Sequence, residues 1–395
     1  MPKTKVAIVK GQKQPTEPDI ERMVRRAIAL AGGVKDIISP GDRVIIKPNL
    51  VYPVAACTGA TTDWRVCKAI ARMVKEAGAQ PIIAESSAIG VDTEKTFQVC
   101  SYDELRKLGI EVIDLKKSRT VNVPVPKGRA VTELPIPEEV VNADVIISVP
   151  VLKTHDQCLA TLSLKNMKGV LQDPLKKKFH TTYGVFQAVA DLNTVVKPAL
   201  SVVDGLVGQE GLGPVFGNPV GMGIIIAGRD PVAVDTVAGL VMGIEPHLNE
   251  TTRLGAEMGL GTMDINQIRV VGEPIERVRR RFKLGSEAVP ESITYPEGFE
   301  LVFNEKACTG CRNGVLSALR DLSVEGKLEL ARNWRVIAGE MQQPPQTDKR
   351  VMLVGFCTRQ YQDYGAFVKG CAPNNVDIIS AFTGETGRGF FGKRG

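Results

Sequence analysis

Short runs of branched apolar residues alternate with amphipathic stretches through the first two thirds of the chain, and this alternation limits the fold more than any other feature. Lys5–Val9, Arg43–Lys47, Pro81–Ala84 and Ile110–Asp114 read as strands, while Ile20–Leu30, Trp64–Ala77 and Ser101–Lys107 carry helical apolar spacing. Asp144–Val149, Leu200–Asp204 and Gly223–Ala227 continue the strand series, and Pro231–Met242 reads as a helix. Regular alternation with short connections predicts an α/β fold whose large, parallel-rich sheet is flanked by helices.

The composition changes around Pro274–Gly298, Arg-rich first and then rich in Ser, Glu and Pro. That stretch reads as a linker (274–298) between a ligand-binding domain (1–273) and a small C-terminal α/β unit (299–386), with 387–395 as a tail. The 395 residues include 43% hydrophobic and 5% aromatic ones, with a formal charge of +6. No Lys/Arg-rich tail accompanies that mild excess, so nucleic acid is not the expected partner. No run approaches the roughly 20 apolar residues of a membrane-spanning helix, and no apolar signal core is evident at the N-terminus. The expected location is the cytoplasm, where eight cysteines are not read as a disulfide framework.

Four of those cysteines fall in the last quarter: Cys308 and Cys311 in Cys-Thr-Gly-Cys, then Cys357 and Cys371 alone. A Cys-x-x-Cys offers two thiolates from one loop, and two more complete a four-thiolate set. Cys308 and Cys311 sit where a helix should start, and its N–H groups and dipole favour thiolate charge. Zinc is the rival, but structural zinc sites are usually built from two closely spaced pairs, and here one pair exists with no histidine nearby. The expected cofactor is therefore one 4Fe–4S cluster held by Cys308, Cys311, Cys357 and Cys371. Cys57, Cys67, Cys100 and Cys158 show no metal spacing.

A second concentration of polar residues falls where strands should end. Lys47 and Asn49 close one strand and Glu85 and Ser86 the next; Lys153 and His155 follow Val149; Asp204 and Arg229 close two more. Ligands of open α/β sheets bind outside the carboxyl ends of the strands. With Lys165, Asn166 and Lys168 added, cations exceed acids, as suits an anionic ligand. Lys153 and His155 are the candidate catalytic residues. His155 has a side chain suited to acid–base work near neutrality, or it simply holds its loop through a backbone hydrogen bond. The run Lys176–Lys178 reads as a solvated face, His180 as a lesser candidate, and His247 as a helix cap. Asp230 before Pro231 reads as a helix N-cap. The Gly-rich segment 208–214 lacks a nucleotide-binding frame and reads as a loop over the site.

Two resemblances attach to these residues. Cys308-Thr-Gly-Cys311, Cys357 and Gly370-Cys-Ala-Pro-Asn374 are similar to the proximal-cluster pattern of nickel–iron hydrogenase small subunits, with Ala372 in place of a proline. Val44–Asn49, Glu85-Ser86, Ser148–His155, Leu164–Gly169, Asp204-Gly205, Gly213-Pro214 and Gly228–Asp235 resemble the domain of unknown function 362 family. That family is often described as iron–sulfur proteins, and the similarity covers residues 5–272. Both imply a cluster; neither supplies a reaction. The leading expectation is a cluster-bearing redox protein, an iron–sulfur oxidoreductase if it is an enzyme. It would exchange electrons between an electron-donor protein and a small anionic ligand in the lysine-rich cleft. The alternatives are a non-redox transferase, racemase or isomerase using Lys153 and His155 beside a structural metal, or a carrier of a cluster or cofactor. Self-association into a homodimer is compatible with each.

Overall fold

The computed structural model describes residues 3–288, 293–304 and 307–384. The tail expected at 387–395 lies outside them. Among the described residues ten strands form the main sheet; eight run in the order Ile268–Gly272, Thr4–Lys10, Asn218–Gly228, Leu200–Glu210, Val145–Val149, Arg43–Pro48, Gln80–Glu85 and Glu111–Asp114, and Val151–His155 with Leu159–Thr161 branch from Leu200–Glu210. The last five strands of that order run parallel. Asn218–Gly228 is antiparallel to both its neighbours, so the sheet is mixed rather than parallel throughout. The reason is local: only seven residues separate Glu210 from Asn218, enough for a hairpin but too few for the helical crossover that parallel strands require.

Helices Glu17–Leu30 and Trp64–Glu76 cover one face of the sheet, burying Ile20, Val24, Ile28 and Ile70 against Val44 and Ile46. The opposite face is covered in two places. Val185–Asn193 packs with Met167, Phe179 and Ile146, and Pro231–Val241 packs on Ile8, Val203 and Ile226. Asp63 caps the second helix by accepting from the Arg65 amide, and Asp230 caps the Pro231 helix through the Ala233 amide, as its sequence suggests.

Residues 274–288 are not a free connector. Val278 and Phe282 are buried in the core beneath the Pro231 helix, and Arg280 N and Phe282 N donate to Val241 O and Met242 O. The C-terminal unit is a separate four-stranded parallel sheet, Glu300–Phe303, Trp334–Ala338, Arg350–Val354 and Ala366–Val368, in that order. Helices Thr309–Val324 and Asn375–Thr383 cover one of its faces. Among the described residues no helix is long and apolar enough to cross a membrane.

Candidate functional site: a buried lysine–histidine cavity beside four thiols

The carboxyl ends of the parallel strands meet a narrow cavity of about 90 Å³, to which Lys47, Asn49, Glu85, Lys153 and His155 all contribute. Its floor is a buried ion pair, Lys47 Nζ to Glu85 Oε2 at 2.8 Å. The Glu85 carboxylate also accepts from the amides of Leu50 and Ser86. Burial pulls the Lys47 ammonium below its ordinary range, and Glu85 works against that shift. The turn Ser163–Val170 presses directly on this pair. A Cβ at Gly169 would stand 2.5 Å from both Lys47 Nζ and Glu85 Oε1, so only glycine fits there.

Lys153 reaches the cavity because the chain leaves strand Val145–Val149 at Pro150 and re-enters the sheet as Val151–His155, paired with the far half of Leu200–Glu210. Its Nζ donates to Asn49 Oδ1 at 2.7 Å, Ala60 O at 2.5 Å and Pro214 O at 3.0 Å. An ammonium has three protons, so this one is fully engaged in tying the 49–60 and 211–217 loops together. Lys176 behaves alike: Nζ donates to Ser86 O, Ser86 Oγ and Ser87 O, each at 2.6 Å. Burial lowers its pKa to about 7.

Lys165 and Lys168 differ. Lys165 Nζ lies 3.2 Å from His155 Nε2, and Lys168 Nζ contacts His180 Nε2; each histidine is the one hydrogen-bond partner found for that ammonium among the described residues. Unspent donor capacity therefore sits on these two lysines. Both histidines are held well below the ordinary histidine range, first by burial and then by the surrounding lysines. His155 Nδ1 accepts from the amides of Gln157 and Cys158 and stands 2.9 Å from Asp156 Oδ1, so its Nε2 edge faces the cavity lysine. The segment bearing both lysines is anchored at its start by Asp235, whose carboxylate accepts from Ser163 N at 2.6 Å and Leu164 N at 3.2 Å. Asn166 fixes its end, donating to Lys47 O and Ser148 Oγ.

Of the residues expected from sequence, Lys47, Asn49, Glu85 and Ser86 meet Lys153, His155, Lys165, Asn166 and Lys168 here. Asp204 and Arg229 do not. Asp204 turns away and accepts from the amides of Asp63 and Leu206, in a separate recess beside Arg65. Arg229 donates to Gly32 O and Gly33 O and pairs with Asp36 at the opposite edge. Arg229 follows the antiparallel strand, which carries its end away from the cavity, whereas Asp204 lies within a parallel strand and is turned aside by its hydrogen bonds to Asp63 and Leu206. Lys176 and His180 are cavity residues that the sequence reading placed outside it. Leu175, Lys176, Phe179 and His180 are buried while Lys177 and Lys178 are exposed, which is the four-residue stripe of a helix face. That spacing was the available signal.

The four thiols lie on loops at one edge of the small sheet. Cys308 is the N-cap of helix Thr309–Val324, Cys311 lies in its first turn, Cys357 follows strand Arg350–Val354, and Cys371 follows Ala366–Val368. They are close enough to act on one another: a hydrogen bond with Cys308 and burial push the Cys311 thiol up, and the charges of Cys308, Cys371 and Cys357 add to this. Hydrogen bonds from Cys311 and the Gly310 amide bring Cys308 down to about 6. Glycines leave room around them. A Cβ at Gly355 would stand 2.8 Å from Cys311 Sγ, and one at Gly184 would stand 3.8 Å from Cys371 Sγ. Among the described residues no three His, Cys, Asp or Glu side chains close on a point that could hold a metal ion. An all-thiol set around a glycine-lined gap has the donor chemistry of an iron–sulfur or zinc site.

The thiol loops and the cavity share a wall. Cys371 N donates to His180 O at 3.2 Å, Val185 N donates to Cys371 O at 2.6 Å, and Gln157 Nε2 donates to Asn374 Oδ1 at 3.1 Å.

Residues 44–239 match a family described as domain of unknown function (DUF362), within the span over which the sequence resembles that family. The thylakoid-associated protein sll1697 of Synechocystis sp. is 26% identical over 285 residues, which is 71% of this chain and 88% of that protein. The lactate racemase apoprotein of Thermoanaerobacterium thermosaccharolyticum is similar in structure with a TM-score of 0.40 and 12% identity, over 92% of this chain and 88% of that one.

Proposed function

We propose that the protein is a non-redox enzyme of the racemase or isomerase type, which binds a small anion between Lys165 and Lys168 and moves a proton with His155. The observation that carries this reading is the division of labour among the lysines. Lys47, Lys153 and Lys176 spend their donors on protein acceptors, whereas Lys165 and Lys168 face the cavity with donors to spare. An anion seated there offsets the positive field of the cavity. It thereby raises His155 back towards the neutral range; with Nδ1 accepting from two amides the neutral ring carries its proton on Nε2, so the cavity-facing edge is the one that gives a proton up. Lys153 becomes a positioning residue rather than a proton carrier. The test is hydrogen exchange into candidate carboxylates in D₂O, with His155→Asn and Lys153→Met compared: loss with the first and retention with a folded second supports these roles.

The second reading keeps electron transfer, and it is favoured by the four thiols lying against the cavity wall. Cys308, Cys311, Cys357 and Cys371 would hold a 4Fe–4S cluster, which supplies one-electron chemistry when bound. In the first reading the same group is structural, fixing the wall that carries His180 and Gln157. Iron and acid-labile sulfide analysis identifies the group, and reversible reduction separates the two roles.

A further inference from the structure

Among the described residues three polar atoms of the cavity lining have no partner: Gln157 Oε1, Thr161 Oγ1 and, on the His180 ring face away from Lys168, Nδ1. Gln157 Oε1 and Thr161 Oγ1 are buried without a hydrogen bond, in residues only 1% and 4% exposed, and both residues line the same cavity as Lys165 and Lys168. Buried polar groups are rarely left unpaired, because doing so costs the full desolvation of the group. The Gln157 amide is oriented by its Nε2, which donates to Asn374, so its carbonyl oxygen is the unsatisfied end and requires a donor. The same cavity offers unspent donors on the two lysines, which require acceptors.

A ligand that satisfies both needs an anionic end and a hydrogen-bond donor within a few heavy atoms, given a volume of about 90 Å³. The donor is not an ammonium. Five lysines surround the space, and Glu85, the one carboxylate lining it, is already engaged by Lys47 and two backbone amides. A neutral hydroxyl remains. We infer that the ligand class is a small hydroxy acid, its carboxylate between Lys165 and Lys168 and its hydroxyl donating to Gln157 Oε1 with Thr161 Oγ1 beside it.

This inference rests on the anion-binding reading above, and one titration separates the two. Glycolate, propionate and inorganic phosphate are titrated calorimetrically into the full chain, purified anaerobically, and into Thr161→Val and Gln157→Met. Propionate has the size of glycolate and lacks only the hydroxyl. The expected result is binding of glycolate about ten-fold tighter than propionate, with the ratio falling towards one in either variant. Equal binding of glycolate and propionate by the wild-type chain overturns the hydroxy-acid assignment and leaves anion binding standing. Phosphate as the tightest of the three overturns the carboxylate assignment. No binding of any of them overturns both readings. The wild-type comparison decides even if a variant fails to fold.

Discussion

Lys165 Nζ and His155 Nε2 stand 3.2 Å apart inside a cavity where Lys47, Lys153 and Lys176 are committed to the protein and Lys168 is not. The pair joins two capacities a small-anion enzyme needs, an unspent donor and an imidazole kept neutral by burial with its proton on the cavity-facing Nε2.

Lys165→Met and Lys168→Met are expected to fold and to lose anion affinity by ten-fold or more, since each removes hydrogen-bond donors that the fold does not use. Lys153→Met is expected to act on stability instead. It strips the donor from three acceptors, and each buried acceptor left unpaired costs about 1–3 kcal/mol, so the total should reach roughly 3 kcal/mol or more. Denaturant unfolding beside a binding titration of all three variants distinguishes these outcomes.

Asp235 holds the start of the lysine-bearing turn from outside the cavity. Asp235→Asn keeps the size but replaces one accepting oxygen with a donor that faces a backbone N–H, so a loss of about 1–2 kcal/mol is expected. Anion affinity should fall with it, because Lys165 loses its fixed base. Unchanged affinity in a destabilised variant would show that the turn is held from its other end, by Asn166.

Much of this arrangement was legible in the sequence. The strand ends at Lys47, Glu85 and Val149 follow from apolar runs, and the motif Leu164–Gly169 stands out as polar residues in an otherwise apolar region. Arg229 was misplaced because strand runs are visible in a sequence but their direction is not, and Asp204 because the strand runs on to Glu210 and its carboxylate turns to the Asp63 and Leu206 amides. The seven-residue gap after Glu210 was the clue to a hairpin. Lys176 was taken as solvated because three lysines in a row hide which one faces inward, and His180 was undervalued for the same reason. The saturation of Lys153 by Asn49, Ala60 and Pro214 could not be read at all, since its partners are 61 to 104 residues away.

Two buried acids make stability fall with rising pH, against the opposite contribution of His155 and His180, whose lowered values make it rise. Asp204 and Asp235 are each raised to about 7 from an ordinary value of 3.8, mainly by burial. Between those values the folded chain holds protons that the unfolded chain has released. Stability from these groups is therefore full below about pH 4 and is lost as pH rises towards 7, by up to about 1.4 kcal/mol per pH unit for each group. Asp204→Asn should shift the slope in that window towards rising stability with pH when unfolding is followed by urea titration at several pH values. An unchanged slope would show that Asp204 is ionised in the folded state.

Replacing one thiol tests the wall shared by the two sites. If the cysteines hold an iron–sulfur group, Cys308→Ala should lower iron and sulfide together. It should also weaken anion binding, because the Cys371 loop is bonded to His180 and Val185. Loss of metal with anion affinity intact would separate the thiol site from the cavity.

The most direct test of the central claim is nitrogen NMR of ¹⁵N-histidine-labelled protein, in which three histidines give three resolvable rings. The expected result is a His155 ring, assigned by His155→Asn, that remains neutral at pH 6 without ligand and shifts towards protonation when a small carboxylate is added. A His155 ring already protonated at pH 6, or one that ignores the carboxylate, would contradict the account.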